Sequence, residues 1–246
     1  EFRSLKGHSD RVNAVAMSGD NKYVVSASDD KTLKVWSLDT GDIQKLNYSI
    51  PASNTIIRFF LPLLPLLTKV IDYFFNWKSP GEEIHSLEGH SDRVNAVAIS
   101  GDNKYVVSAS EDYTLKVWSL DTGEEFHSFE SYSHRVNAVA ISGDIKYVVS
   151  ASYDETLEVW SLDTGEEIHS FEGHSHWVNA VAISGDSKYV VSASRDKTLK
   201  VWSLDTGEEI TCPCEYEMNC CEISSDGKTI IAGDSGGYVH FLRWEN

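Results

Sequence analysis

One stretch of sequence, written out four times, constrains this chain more than any other feature. "GHSDRVNAVAMSGDNKYVVSASDDKTLKVWSLDTG" begins at Gly7, and near copies begin at Gly89, Ser131 and Gly173. Trp118, Trp160 and Trp202 fall 42 residues apart, whereas Trp36 to Trp118 is 82, two short of two periods. One period is therefore hidden between the first copy and the next. A worn final copy, "MNCCEISSDGKTIIAGDSGGYVHFLRWEN", closes the sequence. A period of this length marks a supersecondary unit that cannot bury its apolar face alone, so that neighbouring units stack.

Within a copy the apolar period is two rather than 3.6. "VNAVAIS", "YVVSAS" and "TLKVWSL" are short runs rich in Val, Ile, Thr, Tyr and Trp, separated by the turn-forming stretches "SGDNK", "SEDY" and "LDTGE". A fourth run, "EEIHSLEGH", leads into the next copy. The pattern predicts four short strands per repeat in an all-β chain. Small Ala and Ser residues at many strand positions suit sheets buried on both faces, and radial closure protects their edges.

These residues carry a family resemblance. "LEGHSDRVNAVAISGDNKYVVSASEDYTLKVWSLDTG" resembles one blade of a WD-repeat β-propeller, in its Gly-His pair, its Ser-x-Asp-x-Thr turn and its third-strand Trp. The usual Trp-Asp ending is Trp-Ser here. The resemblance implies a single domain over residues 1–246, with six four-stranded blades and an aberrant second blade at about 48–87. It also implies ring closure by an N-terminal strand: "FRSL" matches the fourth-strand wording, and residues 2–5 are expected to pair with 238–243, the third strand of the last copy. The ending "DGKTIIAGDSGGYVHFLR" resembles the last blade of bacterial WD-repeat arrays fused to signalling NTPases, so the chain is expected to be the C-terminal sensor part of a longer protein.

The family also implies a hydrogen-bonded chain of His, Ser or Thr, Asp and Trp in each blade. His8, Asp30 and Trp36 match in the first copy, with Ser26 or Ser28 as the hydroxyl. His90, Asp112 and Trp118 match with Ser108 or Ser110, and His174, Asp196 and Trp202 with Ser192 or Ser194. One copy departs, with Tyr132 in place of His beside Asp154 and Trp160; the last has Gly236 and Leu242 at the Asp and Trp positions. A Ser, a His and an Asp together bring a hydrolase to mind, but a set recurring in three copies is a structural device, satisfying buried polar groups and stiffening the blade. No catalytic residues, cofactor or metal are expected.

The segment from Ser49 to Leu87, "SIPASNTIIRFFLPLLPLLTKVIDYFFNWKSPGEEIHSL", breaks the pattern. Its apolar run is long enough to cross a membrane. Arg58, Lys69 and Asp72 interrupt it, however, and Pro62 and Pro65 sit inside it. A charge at the centre of a spanning helix costs roughly 2.5–3.5 kcal/mol. A helical lid is a second reading. A damaged blade is preferred, because "TIIRFFL", "LLTKV" and "DYFFNW" can be three strands and the repeat then resumes at "GEEIHSL".

The formal net charge of −17 repels phosphate backbones and argues against nucleic acid as a partner. The four cysteines, Cys212, Cys214, Cys220 and Cys221, lack the spacing of zinc knuckles; they read as small buried residues in a reducing, cytoplasmic compartment.

Function is expected where the copies differ. The turns "SGD" and "SLDTG" recur in all four. The residue before the turn Asp is instead Asp29, Glu111, Tyr153 or Arg195, and the one after it Lys31, Tyr113, Glu155 or Lys197. The lead-in to the first strand carries Arg11, Arg93, Arg135 or Trp177. In a propeller these positions share one rim, the top. The expected surface comprises Arg11, Arg93, Glu111, Tyr113, Arg135, Tyr153, Trp177 and Arg195, on a monomeric module that binds a protein or peptide and no membrane. The alternative is a lectin-like propeller with a small-ligand pocket at its central channel.

Overall fold

Each strand forms where the alternating runs predict it. The computed structural model describes residues 7–37, 82–130, 133–224 and 226–243. These form antiparallel sheets and, among the described residues, no helix. The first sheet runs β1 (Val12–Met17), β2 (Tyr23–Ser28), β3 (Leu33–Ser37) and β4 (Glu83–Leu87). The second is β5 (Val94–Ile99), β6 (Tyr105–Ser110), β7 (Leu115–Ser119) and β8 (Glu125–Phe129). The third is β9 (Val136–Ile141), β10 (Tyr147–Ser152), β11 (Thr156–Ser161) and β12 (Glu167–Glu172). The fourth is β13 (Val178–Ile183), β14 (Tyr189–Ser194), β15 (Thr198–Ser203) and β16 (Glu209–Pro213). The fifth has three described strands, β17 (Met218–Ile223), β18 (Thr229–Asp234) and β19 (Val239–Arg243).

The first hairpin of each copy is held by its own wording. Ser100 Oγ donates to Asp102 at 2.7 Å and accepts the Tyr105 N–H at 2.9 Å, closing the "SGDNKY" turn. Sheets then stack face to face. Val25, Ala27, Leu33 and Val35 of the first sheet pack with Val94, Val106 and Trp118 of the second. At the next two seams Phe129 stacks on Trp160 at 4.6 Å and Phe171 on Trp202 at 5.1 Å. Each such pair adds about 0.5–1.5 kcal/mol beyond its buried area. An asparagine also crosses each of the four described seams: the side-chain amides of Asn13, Asn95, Asn137 and Asn179 donate to the carbonyls of Val94, Val136, Asn179 and Met218, at 2.8–3.2 Å.

The expected second blade requires correction. Glu83–Leu87, placed in that blade by the sequence reading, is the fourth strand of the first sheet, with Leu33 opposite Leu87 and Val35 opposite His85. This is the register of Leu115 on Phe129 and Val117 on His127 in the second sheet. The "EEIHSL" wording specifies a partner for a "TLKVWS" strand wherever the chain delivers it. Residues 38–81 thus enter and leave between β3 and β4, and the first and second sheets are direct neighbours with no blade between them. The rest of the expected second blade, and the closing strand at 2–5, lie outside the described residues, so the expected count of six turns on residues that are not described.

The two end faces of the row of sheets are apolar. Val15 of β1 is 67 % exposed, although its counterparts Val97, Val139 and Val181 pack against the preceding sheet. At the other end Phe241 is 71 % exposed, whereas its counterpart Val117 is fully buried.

Candidate interaction surface

The inner hydrogen-bonded chain forms in the three copies that carry the full residue set. In the second sheet Trp118 Nε1 donates to Ser108 Oγ at 2.8 Å, Ser108 lies 2.7 Å from His90 Nε2, and His90 Nδ1 lies 2.9 Å from Asp112. The corresponding distances are 2.9, 2.7 and 2.9 Å in the first sheet and 2.8, 2.7 and 2.7 Å in the fourth. A neutral imidazole protonated on Nδ1 satisfies every member: indole to hydroxyl, hydroxyl to imidazole, imidazole to carboxylate. The hydroxyl is therefore Ser26, Ser108 or Ser192. The other candidates, Ser28, Ser110 and Ser194, donate instead to the carbonyls of Arg11, Arg93 and His176.

The aspartate is the hub. Asp112 also accepts from the Ser91 N–H, the Thr114 N–H and the Thr114 hydroxyl, at 2.7–3.0 Å. Burial pushes its carboxyl up, but the bonds from His90 and Thr114 outweigh burial and hold it well below the usual carboxylate range. Burial pushes the His174 imidazole down, favouring its neutral form despite Asp196. Ser108 and Ser192 are fully buried, with the hydroxyl proton committed to histidine and the lone pair to tryptophan. A nucleophile needs access to its substrate, and these hydroxyls have none.

On the top rim, the diversified residues are joined in pairs across the seams. Arg93 Nε lies 3.8 Å from Asp29, and Arg135 Nη1 donates to Glu111 at 2.9 Å. Tyr153 stacks on Trp177 with ring centroids 4.4 Å apart and planes 9° from parallel. Arg195 lies over the same indole at 4.7 Å and 3.8 Å from Glu217. In each case the residue before the turn Asp of one sheet meets the lead-in residue of the next. Each of these three arginines thus faces a carboxylate, and Trp177 packs against both Tyr153 and Arg195. Their side chains still reach solvent, and Tyr113 stands beside them, exposed and held at a φ of 70°. Arg11 lies on the same rim and is exposed.

A family model described as "WD domain, G-beta repeat" matches residues 1–37, 81–119, 123–161 and 165–203. The chain belongs to the WD-repeat family. Among curated proteins it is similar to the "Nuclear distribution protein nudF" of Aspergillus flavus, 29% identical over 131 residues, covering 48% of this chain and 27% of that protein. It is also similar to the "Small ribosomal subunit protein RACK1" of Dictyostelium discoideum, 31% identical over 121 residues, 49% of this chain and 26% of that one. The "Transducin beta-like protein 2" of Homo sapiens is 30% identical over 129 residues, 47% of this chain and 28% of that protein. The matches thus span about a quarter of the relatives' own length.

The last copy of the repeat replaces the lost chain with another that the sequence pattern did not reveal. Asp234, at the position of Ser110, accepts from His240 Nε2 at 2.8 Å and from the N–H groups of Gly236 and Tyr238. The signal was present as "GDSGGYVH", an Asp followed by a glycine pair and a His six residues on.

An apolar groove of about 270 Å³ opens between the fourth and fifth sheets, lined by Leu199, Val201, Ile210, Cys212, Ile230 and Leu242. Two small residues create it. Cys212 lies opposite Leu199, where Phe129 and Phe171 lie opposite Leu115 and Leu157, and Leu242 takes the place of tryptophan. The thiols are free. Cys220 is exposed rather than buried as expected, while burial pushes the Cys221 thiol well up. No group of three or more metal-ligating side chains occurs among the described residues, nor any helix long and apolar enough to cross a membrane.

Proposed function

We propose that this WD-repeat protein is a non-catalytic interaction module that holds a protein or peptide partner on its top rim. The observation that carries the reading is the contrast between rims. The "SLDTG" turns are identical in all four good copies, while the opposite rim presents Arg93, Glu111, Tyr113, Arg135, Tyr153, Trp177 and Arg195. Bonding across the seams pre-organises these side chains, which lowers the entropic cost of ordering them on binding. A guanidinium has five N–H donors, and the Arg135–Glu111 bond uses one of them, leaving others for a partner's carboxylate. The net charge of −17 steers partners of positive overall charge, which then meet the rim through local acidic contacts. Membership of the WD-repeat family is consistent with the same reading. Two finer expectations belong to this proposal: a place at the C-terminal end of a bacterial signalling protein, from the wording of the last repeat, and a reducing, cytoplasmic compartment, from the cysteine usage.

The test compares two double variants in pull-downs with quantitative mass spectrometry. Arg135→Ala with Trp177→Ala should remove partners that Asp121→Ala with Asp163→Ala, in the opposite turns, retains. The reverse ranking would place the interface on the other rim.

A further inference from the structure

The third sheet differs from its neighbours at one outer corner. In the first, second and fourth sheets a lysine on the third strand meets a glutamate on the fourth: Lys34 with Glu83, Lys116 with Glu125 and Lys200 with Glu209, each at 2.8 Å. In the third sheet the lysine position is Glu158, and its partner strand still presents Glu167. Glu158 is 6 % exposed. Ser170 donates to its Oε1 at 3.1 Å, and its Oε2 is buried without a hydrogen-bond partner among the described residues. A buried carboxylate that keeps one oxygen unpaired and faces another carboxylate is far costlier charged than neutral.

We propose that the outer edge of the third sheet, β11 against β12, is a proton-operated seam, closed while Glu158 is neutral and loosened when Glu158 ionises against Glu167. The groups around it fit that role. On its own side stand Thr156 and the carboxylate of Asp154 in the preceding turn, and β12 contributes Glu167 and Ser170. The preceding sheet brings the apolar ring of Phe129 onto Trp160, which shares a strand face with Glu158. Burial, joined by the Glu167 and Asp154 carboxylates, pushes Glu158 up from its ordinary value to about 7. For an acid whose folded value is raised, the stabilising contribution is complete below the unfolded value and is lost as pH rises through the folded one. The seam is therefore tight in mild acid and loosens through neutrality.

Hydrogen exchange of the whole chain, corrected for intrinsic rates, tests this. The β12 amides from Glu167 to Glu172 should exchange several-fold faster at pH 8.5 than at pH 5.5, while β8 keeps one protection factor. Glu158→Gln should abolish the difference, and Glu158→Lys, which restores the pairing of the other sheets, should protect β12 at both values. His169 also lies on β12, and the glutamine variant separates the two groups: a response that survives it belongs to His169 and overturns the proposal. So does equal β12 protection at both pH values in the unaltered chain. Carbon-13 titration of the Glu158 carboxyl provides a readout independent of seam opening, and a midpoint near 4.5 would also overturn it.

Discussion

Replacing Asp112 by alanine removes the acceptor of four hydrogen bonds, from His90, the Ser91 N–H, the Thr114 N–H and the Thr114 hydroxyl. The Ser91 amide is exposed and recovers water, but the imidazole of His90 and the donors of Thr114 sit in a closed corner against Trp118. A stranded buried donor costs about 1–3 kcal/mol, so three of them, at the low end because they are only partly buried, give about 3 kcal/mol for Asp112→Ala. Asp102 is the control. It accepts from Ser100 and the Lys104 N–H in a solvated turn, where loss costs about 1 kcal/mol. In a chain of this size 1 kcal/mol shifts Tm by about 2–4 °C, so the Asp112 variant should melt about 4–8 °C below the Asp102 variant. Circular dichroism and tryptophan fluorescence followed together through urea unfolding would check the ranking and whether one transition describes it. The pH dependence adds a second condition. A depressed folded pKa contributes stability above the unfolded value, and that contribution is lost as pH falls. The deficit of Asp112→Ala should therefore shrink below about pH 4. Equal melting of the two variants at pH 7 would refute the hub role of Asp112.

The rim pairs make a charge-exchange prediction: Arg135→Glu should lower stability by about 1 kcal/mol, and adding Glu111→Arg should restore most of it in a double-mutant cycle followed by urea unfolding. Tyr113→Gly should raise Tm by a few degrees, since glycine adopts a φ of 70° without the strain a tyrosine carries, while weakening partner capture in the pull-down. Cys212→Phe, which gives the fourth sheet the residue its neighbours use, should fill the groove and stabilise the chain by about 1 kcal/mol, read as a higher urea midpoint with an unchanged slope.

Much of the architecture was legible because it is local. The alternating runs became the strands, and in three copies the Gly-His, turn Asp and Trp positions became the inner hydrogen-bonded chains, since each of those copies contains all the residues its own chain requires. What was not legible depends on neighbours. Which of two serines joins the chain depends on strand facing: Ser108 turns toward the tryptophan and Ser110 toward the lead-in carbonyl. The placement of Glu83–Leu87 was missed because contiguity in sequence was taken for contiguity in space, although pairing depends on register and the interruption at 38–81 does not alter register. The rim pairs link residues of successive copies, so a comparison of copies position by position shows variation and hides the compensation within it. The lysine-to-glutamate change at 158 was visible in the sequence, but its buried surroundings were not.

Those rim pairs have a consequence for how the chain assembles. Copies this alike are interchangeable by core packing, since any "VNAVAIS" strand fits against any "YVVSAS" sheet, and a growing chain could join its second sheet to its fourth. Acid with base, aromatic with aromatic and base with acid act as addresses written at the boundary of each sheet. A sheet carrying Tyr153 is matched by the indole of Trp177 and offers no carboxylate to the guanidinium of Arg135. The same few positions that give the rim its chemical variety thus also label the copies: the first two boundaries share one acid-to-base address, and the third and fourth each carry their own, so that a sequence nearly uniform in its core still favours the correct neighbour at those later boundaries.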